Sequence, residues 1–158
     1  MAKVLDLDKT DRALLRALTA NARASGSSLA TTLGIAESTV SLRLRRLQSN
    51  GVIRRFRAEI DPTAIGATVQ ALVAVRLVKH AREEIEAFRR AAPSLPGVLS
   101  LFHMAGADDY LLHVAARDSG ELREFVLAHL TGHPAVSHTE TNLIFEHAEG
   151  DGWELLLS

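Results

Sequence analysis

Residues 21–53, NARASGSSLATTLGIAESTVSLRLRRLQSNGVI, decide the fold of this chain. Ser25 is typical of a helix N-cap, because its hydroxyl can accept a hydrogen bond from a backbone N–H at the helix start. Gly34 follows a short apolar stripe and suits a tight turn, because glycine tolerates unusual backbone angles. A second helix is predicted over residues 37–50, and Gly51 ends it. The stretch is therefore predicted to form a helix-turn-helix.

The predicted second helix has one apolar face and one polar, basic face. Val40, Leu44 and Leu47 recur at spacings of four and three, which predicts that their face is buried. The opposite face and its flanks carry small hydroxyls, arginines and one leucine: Ser38, Thr39, Ser41, Leu42, Arg45, Arg46 and Ser49. Hydroxyls near the start of such a helix can contact base edges in the major groove, and arginines can bind phosphates or a guanine. The alternative interpretation is a helical hairpin whose basic face is only solvated.

The charge distribution favours DNA binding by the N-terminal part. Residues 1–60 hold 11 Lys and Arg against 5 Asp and Glu, whereas residues 61–158 hold 7 against 14. A net charge of −1 therefore hides a basic part, which suits phosphates, and an acidic part, which would repel DNA. We expect double-stranded DNA to be contacted by the following residues: Ser38, Thr39, Ser41, Leu42, Arg45, Arg46 and Arg54.

Composition excludes several functional classes. The chain has no cysteine, so disulfides, thiolate metal sites and cysteine nucleophiles are excluded. The N-terminus lacks a secretory apolar region, and no apolar run reaches membrane-spanning length. We therefore expect a soluble cytoplasmic protein with no cofactor and no membrane partner. Among the seven histidines, His103 and His113 are candidates to face each other on neighbouring strands, but structural roles are favoured over a metal site.

The N-terminal domain is predicted to contain a further helix before the helix-turn-helix. Asp8 and Asp11 place negative charge where a helix start favours it. Three leucines form the buried face of this helix: Leu14, Leu15 and Leu18. Segment 52–60 alternates well enough to predict a strand. We expect a three-helix, winged-helix-like domain over residues 1–60, followed by a hinge over residues 61–67.

Residues 68–158 are predicted to form a second domain with α+β architecture. The expected elements are a strand over 69–78, a helix over 83–91, strands over 98–104 and 110–116, a helix started by the capping-box pair Asp118 and Glu121, and a strand over 136–146. This order, β-α-β-β-α-β, is a ferredoxin-like split unit. Both faces of strand 69–78 are apolar, so we expect helices to cover one face and another subunit to cover the other. Residues 153–157 are predicted as a short extra strand.

Several short motifs carry a resemblance to a known family. They are Asn21-Ala22-Arg23-Ala24-Ser25, Leu33-Gly34-Ile35, Arg43, Arg45-Arg46-Leu47 and Gly51-Val52-Ile53, together with Gly106 and Asp109-Tyr110 as a Gly-x-x-Asp-Tyr motif. With these motifs the chain resembles the Lrp/AsnC ("feast/famine") regulators of bacteria and archaea over nearly its whole length. Two positions depart from the pattern. Ala36 stands where relatives usually have a capping Ser, and Leu42 is an unusual residue for an exposed DNA face.

The resemblance implies a function for each domain. In that family the N-terminal domain binds DNA, and the C-terminal domains pair into dimers that often assemble into octamers. Amino acids or related metabolites bind near the Gly-x-x-Asp-Tyr hairpin between dimers. The resemblance therefore implies a sequence-specific transcriptional regulator that forms homo-oligomers and binds a small-molecule effector at the following residues: Gly106, Ala107, Asp108, Asp109 and Tyr110.

The hairpin residues also support an amino-acid ligand on chemical grounds. Gly106 permits close approach of the chain to a ligand, because it lacks a Cβ. Hairpin amides can bind a carboxylate, and Asp108 can meet an ammonium group. Asp109 is expected to accept from turn N–H groups instead. The alternative is a tight hairpin that binds no ligand.

Three further alternatives stay open at this point. Arg43 lies beside the buried stripe of its helix, so a salt bridge to an acid of the first helix is as plausible as a phosphate contact. Glu37 is either an acid favoured by the helix dipole or an acceptor for cytosine. Sirohaem decarboxylases resemble the same architecture, but an enzyme does not need the basic helix, so we favour a regulator over an enzyme.

Overall fold

The computed structural model describes residues 5–78, 82–148, 150 and 152–157. The chain divides into two compact units, Met1–Glu59 with Ala148–Ser158, and Ile60–His147. This division differs from the expected one in its last residues, because the C-terminal tail clusters with the N-terminal unit and not with residues 68–147. Among the described residues, no helix combines the length and the apolar character needed to cross a bilayer.

The first unit is built on three helices, α1 (Lys9–Ala20), α2 (Gly26–Leu33) and α3 (Glu37–Ser49). Asp8 caps α1 in a reciprocal box, in which its Oδ1 accepts from the Asp11 N–H at 2.8 Å. Ser25 caps α2 by accepting from the Ser28 N–H at 3.1 Å. Gly34 ends α2 in the left-handed conformation, with φ of 65°. The predicted helix-turn-helix is confirmed, since α2 begins after Ser25 and ends at Gly34, and α3 follows over almost the predicted range.

The core of this unit joins all three helices. Its buried side chains are Leu14, Leu18, Leu29, Val40 and Leu47, and Leu15 and Leu44 pack against them while partly buried. The predicted apolar faces of α1 and α3 are therefore confirmed. Burial of side chains of this size contributes about 1.5–3 kcal/mol each, so this cluster is what holds α3 in place.

The predicted strand over 52–60 is wrong. The N–H groups of Val52 and Ile53 both donate to the Leu47 carbonyl, at 2.9 and 3.1 Å, and thereby close the end of α3. Residues 54–60 have no regular structure. A strand needs a partner for its N–H and C=O groups, and the described part of this unit contains no other strand. The predicted strand in the tail is also wrong, because Gly152–Leu156 forms a short helix, α6.

The second unit is a four-stranded antiparallel sheet with helices on one face. Its strands are β1 (Val69–Leu77), β2 (Val98–His103), β3 (Tyr110–Ala116) and β4 (Val136–Ile144), in the order β2-β3-β1-β4. The helices are α4 (Arg82–Ala91) and α5 (Ser119–Val126), which a π-turn extends over Leu127–Thr131. The predicted β-α-β-β-α-β order is confirmed. Asp118 caps α5 as predicted, but the Glu121 carboxylate bonds to Arg117 and does not complete the capping box.

The two faces of the sheet differ in cover. The inner face and the helices share a core that includes Ala71, Val73, Val75, Leu112 and Val114 from the strands and Phe88, Leu122 and Phe125 from the helices. Alternation places Leu72, Leu111 and Phe102 on the outer face. No helix in the described part of this unit covers that face, and Phe102 is 52% exposed. Helices thus cover one face as predicted, while cover by another subunit stays a prediction.

Candidate DNA interface and effector hairpin

Helix α3 presents the predicted DNA face to solvent. Ser38, Ser41, Leu42 and Arg45 are exposed, and Thr39 is half-buried. The opposite stripe of α3 is locked into the core by Val40 and Leu47, so the rotation of the helix is set by packing. Leu42 is 63% exposed, so it is either placed to contact a thymine methyl or one of the single apolar residues that are common on protein surfaces.

The start of α3 is uncapped, as the sequence predicted. Ala36 has extended backbone angles, φ −68° and ψ 144°, and provides no side-chain hydrogen bond. Glu37 lies over the beginning of α2, where a Cβ added to Gly26 would come within 3.1 Å of Glu37 Oε1. A carboxylate at this place is favoured by the dipole of α2. This position supports the first of the two alternatives for Glu37, a dipole-favoured acid.

Two arginines of α3 point back to α1. Arg43 Nη1 lies 2.6 Å from Asp8 Oδ2 and 2.8 Å from Asp11 Oδ1. Arg46 Nη1 lies 3.1 Å from Asp11 Oδ2, and Arg46 Nη2 donates to the Asp6 carbonyl at 3.0 Å. The alternative left open for Arg43 is thus decided in favour of the salt bridge. The sequence predicts Arg46 as a DNA contact and does not reveal its bond to Asp11.

The electrostatics of this cluster follow from its hydrogen bonds. The Asp11 N–H and then the Arg43 guanidinium lower the pKa of Asp8 below its usual value. Asp8 and Asp11 in turn raise the pKa of Arg43. The Asp11 side chain is fully buried, so its charge depends on the two guanidinium groups for compensation.

The remaining arginines around α3 differ from this pair. Arg45, Arg54, Arg55 and Arg57 are all exposed. Within the described residues, no carboxylate lies within 4.0 Å of any of them. The exposed strip of α3, formed by Ser38, Ser41, Leu42 and Arg45, therefore has one cation, and the segment that follows the helix has three more.

The hairpin between β2 and β3 is anchored to β1 through Asp109. The Asp109 N–H donates to the Val75 carbonyl at 3.0 Å, and Asp109 Oδ2 accepts from the Leu77 N–H at 2.7 Å. Asp109 therefore satisfies a backbone N–H as predicted, although the donor belongs to β1 and not to the hairpin turn. Around Gly106 there is open space, since a Cβ there would meet no atom within 4 Å.

Asp108 already has a charged partner within the chain, Arg76, and its contact with a ligand stays a prediction. Arg76 Nη2 lies 3.2 Å from Asp108 Oδ1, and Arg76 Nε donates to the Ala107 carbonyl at 2.8 Å. The side chains of Arg76 and Asp108 remain 49% and 24% exposed. The sequence does not predict a role for Arg76. Its only signal there is one charged residue in a strand that is otherwise apolar except for Gln70.

Tyr110 lies at the core end of the hairpin. Its side chain is buried, with its ring 4.8 Å from His103 and 5.8 Å from Phe88 between centroids. Burial raises the pKa of the Tyr110 hydroxyl above its usual value. The structure thus brings residues 106–109 together at the surface and places Tyr110 beneath them.

The two histidines predicted as facing neighbours lie apart. His103 pairs with Tyr110 on the inner face, whereas His113 pairs with Ser100 on the outer face. The reason is the register, which separates the two by three positions along β3. His113 Nε2 lies 2.9 Å from Gln70 Oε1, and its ring centroid lies 5.8 Å from that of His147. Burial is the main cause that lowers the pKa of His113 below 6.5, and the nearby His147 lowers it further.

Comparison with known protein families matches both parts of the chain. Residues 7–54 match a winged helix-turn-helix DNA-binding domain. Residues 70–153 match the Lrp/AsnC ligand binding domain. Together the two matches cover the elements that carry α3 and the hairpin.

Individual relatives match over most of their length. The chain is 47% identical to the HTH-type transcriptional regulator AldR of Mycolicibacterium smegmatis, over 92% of this chain and 85% of AldR. The crystal structure of AldR from Mycobacterium tuberculosis has 42% identity and a TM-score of 0.74, and covers 91% of this chain and 98% of its own. A Neisseria meningitidis transcriptional regulator solved with L-Met has 30% identity and a TM-score of 0.82, with coverages of 92% and 94%. The curated and solved relatives reported above are all regulators.

Proposed function

This chain belongs to the Lrp/AsnC family of DNA-binding transcriptional regulators, and we propose that it binds a specific operator as a homo-oligomer. We also propose that an amino acid or related metabolite binds at hairpin 106–110 and changes the assembly or the DNA affinity. The observation that carries the DNA part is the exposed strip of α3, where hydroxyls and one arginine stand outward from a fully packed helix. A rigid helix with small donors near its N-terminal end suits the major groove.

The DNA contacts fall into two groups with different roles. Ser38, Thr39, Ser41 and Leu42 stand near the start of α3, where side chains reach base edges and supply sequence preference. Arg45 and Arg54 supply charge to phosphates or to a guanine. We propose these six residues as the DNA contacts of each protomer.

Gel-shift titrations on a duplex selected from a random pool by the wild-type protein test this face. Ser38→Ala is expected to reduce discrimination between the selected and a scrambled duplex. Arg45→Gln is expected to weaken binding to both and to reduce the slope of log K against log salt by about 0.9. Arg90→Gln, an exposed arginine of α4, is the matched charge control. If Ser38→Ala keeps the wild-type discrimination and Arg45→Gln, like Arg90→Gln, keeps the wild-type affinity and slope, the assigned DNA face of α3 is wrong.

The outer face of the sheet supports the oligomer. Leu72, Leu111 and Phe102 stand there without a covering helix in the described part of their unit, and leaving apolar area in water costs about 25 cal/mol per Å². We propose that a second copy covers this face.

Light scattering on the full chain should give a smaller mass for Leu111→Asp than for wild type. Leu127→Gln in the π-turn after α5, at a residue that is 46% exposed and away from this face, should keep the wild-type mass. An unchanged mass for Leu111→Asp would contradict the assignment.

The effector part rests on the charges at the hairpin. Arg76 and Asp108 form a partly exposed ion pair beside Ala107. A free amino acid carries the same two charges, so its carboxylate can form an ion pair with Arg76 and its ammonium group can form one with Asp108. The complex of the Neisseria meningitidis regulator with L-Met supports this class of ligand.

Titration calorimetry with each of the twenty amino acids tests the effector site. Asp108→Asn and Arg76→Gln are each expected to weaken the binding of any amino acid that wild type binds by at least tenfold, because each removes one charged partner. Glu124→Gln on α5 is the control for loss of a surface charge. Wild-type affinity in both Asp108→Asn and Arg76→Gln would place the ligand elsewhere, and no heat with any amino acid would favour the ligand-free hairpin.

A further inference from the structure

The N-terminal unit contains one charged side chain that is fully buried, Asp11, among the residues that the structure describes. Its carboxylate sits between α1 and α3, where each oxygen accepts from a different arginine of α3. Arg43 donates to Oδ1 at 2.8 Å, and Arg46 donates to Oδ2 at 3.1 Å. A buried carboxylate is unfavourable unless it is paired in this way. The pairing therefore links the rotation of α3 to α1.

The spacing along α3 makes this link directional. Arg43 and Arg46 are three residues apart and so lie on one side of the helix, next to the buried stripe. Asp8 and the Asp6 carbonyl accept from the same two guanidinium groups, at 2.6 and 3.0 Å. With both arginines held on the α1 side, Ser38 and Arg45 stand on the exposed side.

We propose that Asp11 is a positioning residue for DNA recognition, which fixes the rotation of α3 and retains the Arg46 guanidinium so that Arg46 makes no phosphate contact. This inference rests on the DNA-binding role of α3 and revises the expectation for Arg46. Two aspartates and two arginines leave this cluster without net charge. Only Arg45 then adds charge to the exposed strip of α3.

The salt dependence of binding to a short random-sequence duplex separates the two arginines. A side chain that contacts a phosphate contributes about 0.9 to the slope of log K against log salt, which is about 3.5-fold in affinity between 50 and 200 mM. Arg46→Gln is expected to keep the wild-type slope, while Arg45→Gln loses about 0.9. Arg46→Gln leaves Asp11 paired with Arg43, so the unit keeps a partner for its buried charge.

Asp11→Asn gives a second readout that loss of packing alone would not produce. The amide removes the negative charge and releases the arginines, so the slope should become steeper by up to about 0.9 per released guanidinium. Discrimination between the selected and a scrambled duplex should fall several-fold, because α3 is no longer fixed. Folding of each variant is checked by its circular dichroism melt.

Each outcome decides one claim. If Arg46→Gln loses the same slope as Arg45→Gln, Arg46 contacts DNA and the inference is overturned, while the proposed function stands. If Asp11→Asn folds and keeps both the wild-type slope and discrimination, Asp11 does not position α3. If Asp11→Asn does not fold, the comparison of Arg46→Gln with Arg45→Gln decides alone. If the wild-type protein binds no duplex, the proposed function fails first.

Discussion

Replacing Ala36 with serine should stabilise the N-terminal unit, because α3 is the helix of the helix-turn-helix that lacks a side-chain cap. Asp8 caps α1 and Ser25 caps α2, each through the backbone N–H three residues later. The backbone of Ala36, φ −68° and ψ 144°, is close to that of Ser25, φ −71° and ψ 157°. A serine hydroxyl at this exposed position can therefore accept from the Thr39 N–H without rearrangement.

The gain expected for Ala36→Ser is about 1 kcal/mol, which corresponds to roughly 4–8 °C in the melting temperature of a domain of this size. Differential scanning calorimetry of the full chain measures it. Ser25→Ala is the opposite control, because it removes the 3.1 Å bond to Ser28 and should lower the melting temperature by a similar amount. If Ser25→Ala destabilises and Ala36→Ser changes nothing, the start of α3 is not limited by its cap.

Two further predictions concern a pair of glycines and a histidine. Gly34 and Gly97 both have positive φ, 65° and 79°, but a Cβ at Gly34 meets no atom within 4 Å, whereas at Gly97 it would lie 2.5 Å from the Ala115 carbonyl oxygen. Gly34→Ala should therefore lower the free energy of unfolding in urea by about 1–2 kcal/mol, and Gly97→Ala by about 1–3 kcal/mol more. Equal losses would mean that only the backbone strain, and not the clash with Ala115, destabilises the Gly97 variant. His113 has a pKa held below 6.5 by burial and by His147, so the unfolded chain takes up its proton first as the pH falls. The contribution of neutral His113 to stability is full above pH 6.5 and is lost as the pH falls through the pKa of the folded state. The urea midpoint of His113→Gln should therefore fall less than that of wild type between about pH 8 and about pH 5. An equal fall in both proteins would contradict this prediction.

The helix boundaries could be predicted because capping is local chemistry. Ser25, Gly34 and Asp118 act on backbone groups within a few residues of themselves, so their effect can be inferred from the sequence nearby. The periodic faces of α1, α3 and the strands were predictable for the same reason, since periods of 3.6 and 2 are set by neighbouring residues.

The strand predicted over 52–60 shows the limit of periodicity. Alternation indicates which side chains share a face, but a strand also needs hydrogen-bond partners from elsewhere in the fold. Within the described residues of the N-terminal unit there is no such partner, and the Leu47 carbonyl takes the first two N–H groups of the segment. The strand predicted over residues 153–157 is wrong for a related reason, because the pattern of five residues is too short to distinguish a helix from a strand.

The site residues named from the sequence stay a prediction, and the ion pairs that some of them form could not be inferred from the sequence. Asp108 is paired by Arg76 and Asp11 by Arg46, across 32 and 35 residues of sequence. Charge and periodicity mark each group as functional or structural, yet they do not reveal a partner that only the fold brings close. Asp108 and Arg46 were both expected to be available to a ligand or to DNA, and in the single chain each already has a counter-charge.

These pairings change how the basic N-terminal part is understood. Of the 11 cationic residues in 1–60, Arg43 and Arg46 are compensated by Asp8 and Asp11. The exposed strip of α3 then has one arginine, Arg45, among hydroxyl side chains, while further exposed arginines follow the helix over residues 54–57. Hydroxyls discriminate base edges, whereas exposed arginines bind phosphates of any sequence. On the proposed function, we therefore expect α3 to supply sequence recognition and the following segment to supply affinity, a division that a count of charges along the sequence could not reveal.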